Sequence, residues 1–297
     1  MQKIFLIDLA NLFFRAFFAV PQSMQNNAVF GVCGAIFSIL EIQKPAAIFA
    51  FRDRRAKTFR HKIDENYKAQ RPKTPENLVA QLPKIFEFFE KFNLPLFAEN
   101  GFEADDLIAS FARKFKNKNH EILIVSTDRD LFSLIDENVK IFLPRGGGVF
   151  EKIDAEKCVE KMGVAPSQIS DFKALSGDAS DNLKGIAGIG AKTAARLLNE
   201  FENLENLEKN LDKISQKKVR ENLEKNFNDA KKCRELTKLN FDFQFNEKIF
   251  DCENCKKFDF LAATEFFKNL NFHSLRRRCE KFLPTKNFDK KNQLSFF

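Results

Sequence analysis

Gly101-Phe102-Glu103-Ala104-Asp105-Asp106-Leu107-Ile108-Ala109 sets three carboxylates within four residues, directly ahead of an apolar helical pattern. Leu107, Ile108, Phe111 and Phe115 recur at the three-and-four spacing of one helix face. The acids therefore fall in the first helical turn, where free backbone N–H groups and the macrodipole favour negative charge by roughly 1 kcal/mol at best. Like charges this close, if partly buried, repel and raise one another's pKa unless a cation intervenes. Alone, such a run is an ordinary solvated helix start.

The flanking sequence gives the run a setting. Residues 1–8, Met1-Gln2-Lys3-Ile4-Phe5-Leu6-Ile7-Asp8, read as a buried strand ended by an acid. Helical patterns follow from residue 11 to about 20 and near 30–44, and residues 45–51 form a second buried strand ending near Asp53. Residues 52–73 are dense in Arg and Lys and lack apolar periodicity, so an exposed, mobile insertion is expected there. A helix is predicted from about 75 to 92, strands at 121–126 and 139–143, and a hairpin turn at Gly146-Gly147-Gly148 before Val149 and Phe150. Strands alternating with helices predict an α/β domain with a mostly parallel central sheet flanked by helices, over residues 1–154. From about 155 to 284 the pattern is helical, and from 285 to 297 it is a polar tail until the last five residues.

In an open parallel sheet the strand C-terminal ends share one edge, and ligands bind in the crevice there. Asp8, Asp53 and Asp128 each follow a predicted strand, Asp130 lies two residues further on, and the Glu103 helix is expected to start at the same edge. Ser176-Gly177-Asp178-Ala179-Ser180-Asp181-Asn182 adds Asp178 and Asp181 at i, i+3. So many carboxylates in one crevice require cations. Hard oxygen donors with few local His or Cys residues point to Mg²⁺ or Mn²⁺ rather than zinc. Two such ions roughly 4 Å apart would clamp the attacking and leaving oxygens of an in-line phosphodiester displacement.

Composition agrees with this chemistry without choosing it. The chain has 297 residues, 44% hydrophobic and 30% charged, so it can bury a core. A net charge of +8 favours a polyanionic partner but does not discriminate nucleic acid from membrane surface or acidic protein. No signal peptide is recognisable and no apolar run is long enough to span a bilayer, so a cytoplasmic protein with six reduced cysteines is expected. Cys252 and Cys255 form one CxxC, with Cys233 and Cys279 on either side; without a second close pair, a zinc site is disfavoured.

Taken in order, Gly-Phe-Glu-Ala-Asp-Asp (101–106), Ser-Thr-Asp-Arg-Asp-Leu (126–131) and Gly-Asp-Ala-Ser-Asp-Asn (177–182) resemble three motifs of the 5′-nuclease (flap endonuclease) family. Within it the chain is most similar to the N-terminal nuclease domain of bacterial DNA polymerase I. The resemblance implies a PIN-like 5′-nuclease fold. It also implies that Asp8, Asp53, Glu103, Asp105, Asp106, Asp128, Asp130, Asp178 and Asp181 hold two or more Mg²⁺ or Mn²⁺ ions, directly or through water. Two positions depart from the family pattern: Arg52 stands where Phe usually precedes the second acid, and Leu9 where Gly commonly follows the first.

The same resemblance makes the basic insertion, about 52–80, a helical arch over the site. Lys68 and Arg71 then match cations that contact the scissile phosphate, Arg15 a basic residue near the metals, and Arg60 a DNA contact. Tyr67, the only tyrosine, matches an aromatic that stacks on a terminal base. Residues 183–194 read as a helix–hairpin–helix in which Gly185, Gly188, Gly190, Lys192 and Thr193 grip duplex phosphates without reading sequence, and the family also binds K⁺ there through carbonyls. Gln293, Leu294, Ser295, Phe296 and Phe297 resemble the motif that docks bacterial replication proteins on the sliding clamp. A free-standing, monomeric 5′-3′ exonuclease and flap endonuclease acting on 5′ flaps, nicks and RNA primers is the expectation. The other readings are a non-catalytic DNA-junction binder and an RNA-directed nuclease on the same scaffold.

Overall fold

The computed structural model describes residues 1–54, 56–246 and 258–284. The clamp-like residues 293–297 and the Cys252/Cys255 pair lie outside the described residues. In chain order the elements are β1 (Gln2–Asp8), α1 (Leu9–Ala19), α2 (Asn27–Gln43), β2 (Ala47–Phe51), α3 (Phe59–Ile63), α4 (Glu76–Val79), α5 (Leu82–Lys91), β3 (Leu96–Phe97) and α6 (Ala104–Phe115). They continue with β4 (His120–Val125), β5 (Val139–Gly146), β6 (Val149–Ile153), α7 (Ala155–Met162), α8 (Ile169–Ser176), α9 (Ala191–Phe201), α10 (Leu204–Lys209), α11 (Lys217–Thr237), α12 (Phe260–Asn269) and α13 (His273–Glu280).

The six strands lie in the order β3-β2-β1-β4-β5-β6, parallel throughout except for the β5–β6 hairpin. Near-continuous apolar runs are what a sheet covered on both faces demands. Ile4, Leu6, Phe49, Ile122, Ile124 and Ile141 enter one core with α6 and α7–α11. Phe5, Ile7, Ile48, Leu123 and Val125, at the alternate positions, enter the other core with α1, α2, α5, α12 and α13. The last two helices therefore pack back against the sheet's helical cover rather than on the α8–α11 group, joined through Phe37, Phe88, Phe92 and Phe267.

Phe37 is fully buried, stacked on Phe92 at 5.6 Å and edge-on to Phe260 and Phe267. Phe37→Ala is expected to destabilise the fold by about 3–5 kcal/mol. Urea unfolding measures this, and a loss under about 1 kcal/mol would mean that the α12–α13 layer does not share this core.

Three expectations need correction. The helix predicted over 75–92 is two helices, because Pro83 in the first turn of α5 restarts the helix and the buried Gln81 side chain leaves it to bond Ala28 N and Asn27. A two-residue strand, β3, completes the sheet where no periodicity could announce it. Residues 52–73 are not a free insertion: they contain α3, and Arg60 and Tyr67 are only 2% and 4% exposed. Cys233 and Cys279 are buried in different cores and so do not flank a common site. Among the described residues, no helix is long and apolar enough to cross a membrane.

Candidate active site

The chain leaves β1 in one direction to β2 and β3 and in the other to β4, which opens a crevice between the β1 and β4 ends. The strands end flush: Asp8 pairs with Phe51, and Ile7 with Val125. Asp53 and Asp128 thus lie just beyond Asp8 at the same edge. Asp8 caps α1, accepting from Asn11 N at 3.1 Å on Oδ1 and from Ser126 Oγ at 2.8 Å on Oδ2. Ser126 Oγ also accepts from Asp128 N at 3.0 Å, and Asp128 Oδ1 accepts from Asp130 N at 2.9 Å. The Asn11 side-chain Oδ1 accepts from Thr127 N and Oγ1, both at 3.0 Å, tying the β4 exit to α1. Asp53 reaches across to the start of α6, accepting from Ala104 N at 2.7 Å.

Two groups of acids result. Asp8, Asp53, Asp105 and Asp128 share one field: the negative charges of Asp128 and Asp53 add to the burial that lifts Asp8 to about 7. Burial, followed by Asp128 and Asp8, also lifts Asp105 well above the usual carboxylate range. Asp130, Asp178 and Asp181 form the second group, one carboxylate oxygen from each lying within 4.8 Å of the others. Burial raises Asp130 to about 7 although Lys173 opposes it, with Asp128 adding repulsion. Asp178 instead lies below its ordinary value, because Lys173 and Ser180 outweigh its burial.

The crowding has a thermodynamic sign. In the metal-free fold Asp8 and Asp130 keep their protons to about pH 7, whereas their ordinary value is 3.8. The folded state then binds more protons than the unfolded chain, so this contribution to stability is present below about pH 4 and is lost as pH rises to about 7. The melting temperature of EDTA-treated protein should fall between about pH 5 and about pH 7.5, and Mn²⁺ should restore it at the upper end. A rising melting temperature across that window, with no metal added, would contradict the crowding.

Two cations of residues 52–73 lie on Glu103 and on Asp181 of the second group. Lys68 Nζ bonds Glu103 Oε2 at 2.8 Å and Arg71 Nη2 bonds Asp181 Oδ1 at 2.6 Å. The Tyr67 hydroxyl lies 3.3 Å from Glu103 Oε2 and 3.1 Å from Asp181 Oδ2, its single proton shared between the two carboxylates. Lys68, with φ of +58°, donates its backbone N–H to the Asp181 carbonyl, and Asn182 Nδ2 bonds the Asn66 carbonyl. The stacking role expected of Tyr67 is therefore not what this conformation displays: the ring is buried and its hydroxyl serves the acids.

Further residues depart from expectation. Asp106 has no exposed surface, and its two oxygens accept from Arg60 (twice), Glu103 N and Asn240 N, so no lone pair remains for a metal. Arg60 is correspondingly a buried counter-ion instead of a DNA contact. Arg15 is exposed and donates to the Pro144 carbonyl at the end of β5, a neighbouring strand. Gly185 packs against the Gly177 backbone, leaving no room for a Cβ. Gly188 has φ of +77°, Gly190 is the N-cap of α9 with open space where a Cβ would stand, Lys192 is exposed and Thr193 half-buried. An anion could approach the N-terminus of α9 there.

Sequence reading missed Lys173, whose ammonium lies between Asp130 and Asp178, and the supporting roles of Ser126 and Asn11. A lone cation among Ile169, Phe172 and Leu175 was the available signal for Lys173. The donor set fits hard divalent ions: carboxylates from five chain segments, with no His or Cys among them, of which Asp8, Asp105 and Asp130 are raised in pKa by burial with neighbouring acids adding to it.

Comparison with known proteins places this geometry. The family description "5'-3' exonuclease, N-terminal resolvase-like domain" matches residues 3–163, and "5'-3' exonuclease, C-terminal SAM fold" matches residues 164–259. The 5'-3' exonuclease of Aquifex aeolicus is 34% identical over 286 residues, covering 95% of this chain and 96% of that protein. DNA polymerase I of Caldicellulosiruptor bescii is 36% identical over 284 residues, and this chain spans only 33% of its length. The solved structure described as divalent metal ions (zinc) bound to T5 5'-exonuclease superposes with a TM-score of 0.68 at 21% identity, covering 94% of this chain and 98% of that one. A bacteriophage T5 flap endonuclease complex with DNA and metal ions gives 0.64 at 20% identity, covering 94% and 97%. These structures share the fold, while the matched family descriptions and the exonuclease aligned over nearly its whole length decide the lineage: the chain belongs to the 5'-3' exonuclease family.

Proposed function

We propose that the chain is a structure-selective 5′-3′ exonuclease and flap endonuclease that hydrolyses DNA, and RNA primers paired to it, using two Mg²⁺ or Mn²⁺ ions in replication and repair. The observation that carries this reading is the pair of adjoining acid groups at the C-terminal edge of the sheet, bridged by Asp128. Asp8, Asp53, Asp105 and Asp128 would hold one ion; Glu103, Asp130, Asp178 and Asp181 would hold the other. Bound divalent ions supply Lewis acidity and lower the pKa of water into the neutral range.

The protein's own groups do the rest. Ser126 and Asn11 fix the Asp8 carboxylate and the 126–128 turn, so the cage is formed before substrate arrives. Lys68 and Arg71, now held by Glu103 and Asp181, would transfer to the scissile phosphate and stabilise the charge that develops there. Gly188, the open N-terminus of α9 and Lys192 would take the duplex backbone, with Thr193 beside them and K⁺ as a candidate ion at the hairpin carbonyls. Clamp docking through Gln293–Phe297, a monomeric state and a cytoplasmic location complete the proposal.

The test is a labelled 5′-flap duplex and an RNA–DNA duplex, each incubated with and without Mg²⁺. Cleavage near the flap junction that needs the ion is expected. Ion-independent binding without cleavage of either substrate would instead favour a non-catalytic junction binder, and cleavage confined to RNA would favour the RNA-directed reading.

A further inference from the structure

Arg60, in the arch segment, commits its donors to buried protein groups. Its Nε donates to the Leu236 carbonyl at 2.9 Å and its Nη2 to the Lys238 carbonyl at 2.9 Å. Nη1 and Nη2 form a fork on Asp106 at 2.7 and 2.8 Å. Nη1 also lies 3.5 Å from Glu103 Oε2. Of the five N–H donors of a guanidinium, four are hydrogen-bonded here, and the fifth, on Nη1, faces Glu103 in a side chain that is buried from any phosphate. Asp106 passes the order on: its Oδ2 accepts the backbone N–H of Glu103 at 3.1 Å, and its Oδ1 that of Asn240 at 2.8 Å. Glu103 is the N-cap of α6, so the fork fixes the residue from which that helix starts.

From this placement we infer that Arg60 is a positioning residue: through Asp106 it sets Glu103 for metal binding and ties the arch base to the end of α11. The inference rests on the reading of Glu103 as a metal-holding residue. Helix α11 makes the tie consequential, because further along it Asn222 Nδ2 donates to the Ala187 carbonyl in the hairpin at 2.7 Å. One helix thus touches both the arch base and the proposed duplex grip, with a backbone break at Asn226 between the two contacts.

Arg60→Lys keeps the charge but loses the planar fork. Mn²⁺ binding followed by calorimetry should weaken about tenfold or more, the range for residues that orient a metal-holding side chain. The Kd for flap DNA in EDTA, and its salt dependence, should stay within about twofold, since no phosphate contact is removed. Asp106→Asn preserves shape while removing the anion, and should show the same metal defect with DNA binding intact. If Arg60→Lys does not fold, Asp106→Asn alone decides. Weakened DNA binding with a salt slope reduced by about one, and Mn²⁺ affinity unchanged in both variants, would make Arg60 a DNA contact and overturn the inference. A wild-type chain that binds no Mn²⁺ would overturn the reading of the site itself, and the inference with it.

Discussion

Asp128→Asn is expected to lower single-turnover cleavage of a 5′-flap duplex by about 10³-fold or more while leaving DNA binding unchanged. Asp128 stands between the two acid groups, its charge acting on Asp8 and Asp105 in one and on Asp130 in the other. Its Oδ1 also receives Asp130 N, a bond the amide oxygen of Asn can still accept, so the turn should survive the change. What disappears is an anion that would hold one ion and whose charge also reaches the acids that would hold the other. The substitution should also relieve repulsion, and the metal-free variant should melt no lower than the native chain. Undiminished cleavage would remove Asp128 from the chemistry.

Lys68→Ala and Arg71→Ala should each reduce the cleavage rate by about 10²–10³, the usual consequence of deleting a group that stabilises transition-state charge. The structure adds a second, opposite effect. Lys68 and Arg71 neutralise Glu103 and Asp181 in the metal-free protein, so a divalent ion must displace them. Each variant should therefore bind Mn²⁺ several-fold more tightly without DNA, even as it cleaves more slowly, because the ion no longer competes with an internal cation. Calorimetry paired with rapid-quench rates separates the effects. Slower cleavage with weaker metal binding would mean that these cations support the acids instead of competing for them.

The parts of this molecule legible from sequence were those governed by short-range pattern. Ile4–Ile7, Ala47–Phe51 and Ile122–Val125 are continuous apolar runs, each followed at once or within three residues by an acid, and a parallel sheet brings such ends together by geometry alone. Glu103 and Asp105 at a helix start were legible for the same reason. Illegible were features decided by side-chain meetings across the chain. Asp106 looks like its neighbour Asp105, yet one residue of helical rotation, about 100°, turns it from the crevice toward Arg60. Arg60 and Tyr67 read as solvated because their stretch is basic, but a buried partner far along the chain outweighs local composition. Gly185 and Gly188 are alike in the sequence; only the backbone of Gly177, packed against the first, assigns them different work. Leu96–Phe97 is too short for any periodicity to register.

The central claim is that Asp and Glu residues from separate segments gather at one sheet edge to hold a pair of hard ions. Its most direct test is a crystal soaked in Mn²⁺ and measured at the manganese absorption edge. Two anomalous peaks about 4 Å apart are predicted, one among Asp8, Asp53, Asp105 and Asp128 and the other among Glu103, Asp130, Asp178 and Asp181, with the Lys68 and Arg71 side chains moved off the acids. Manganese bound only at other surfaces, or no peak in the crevice at saturating metal, would contradict the account.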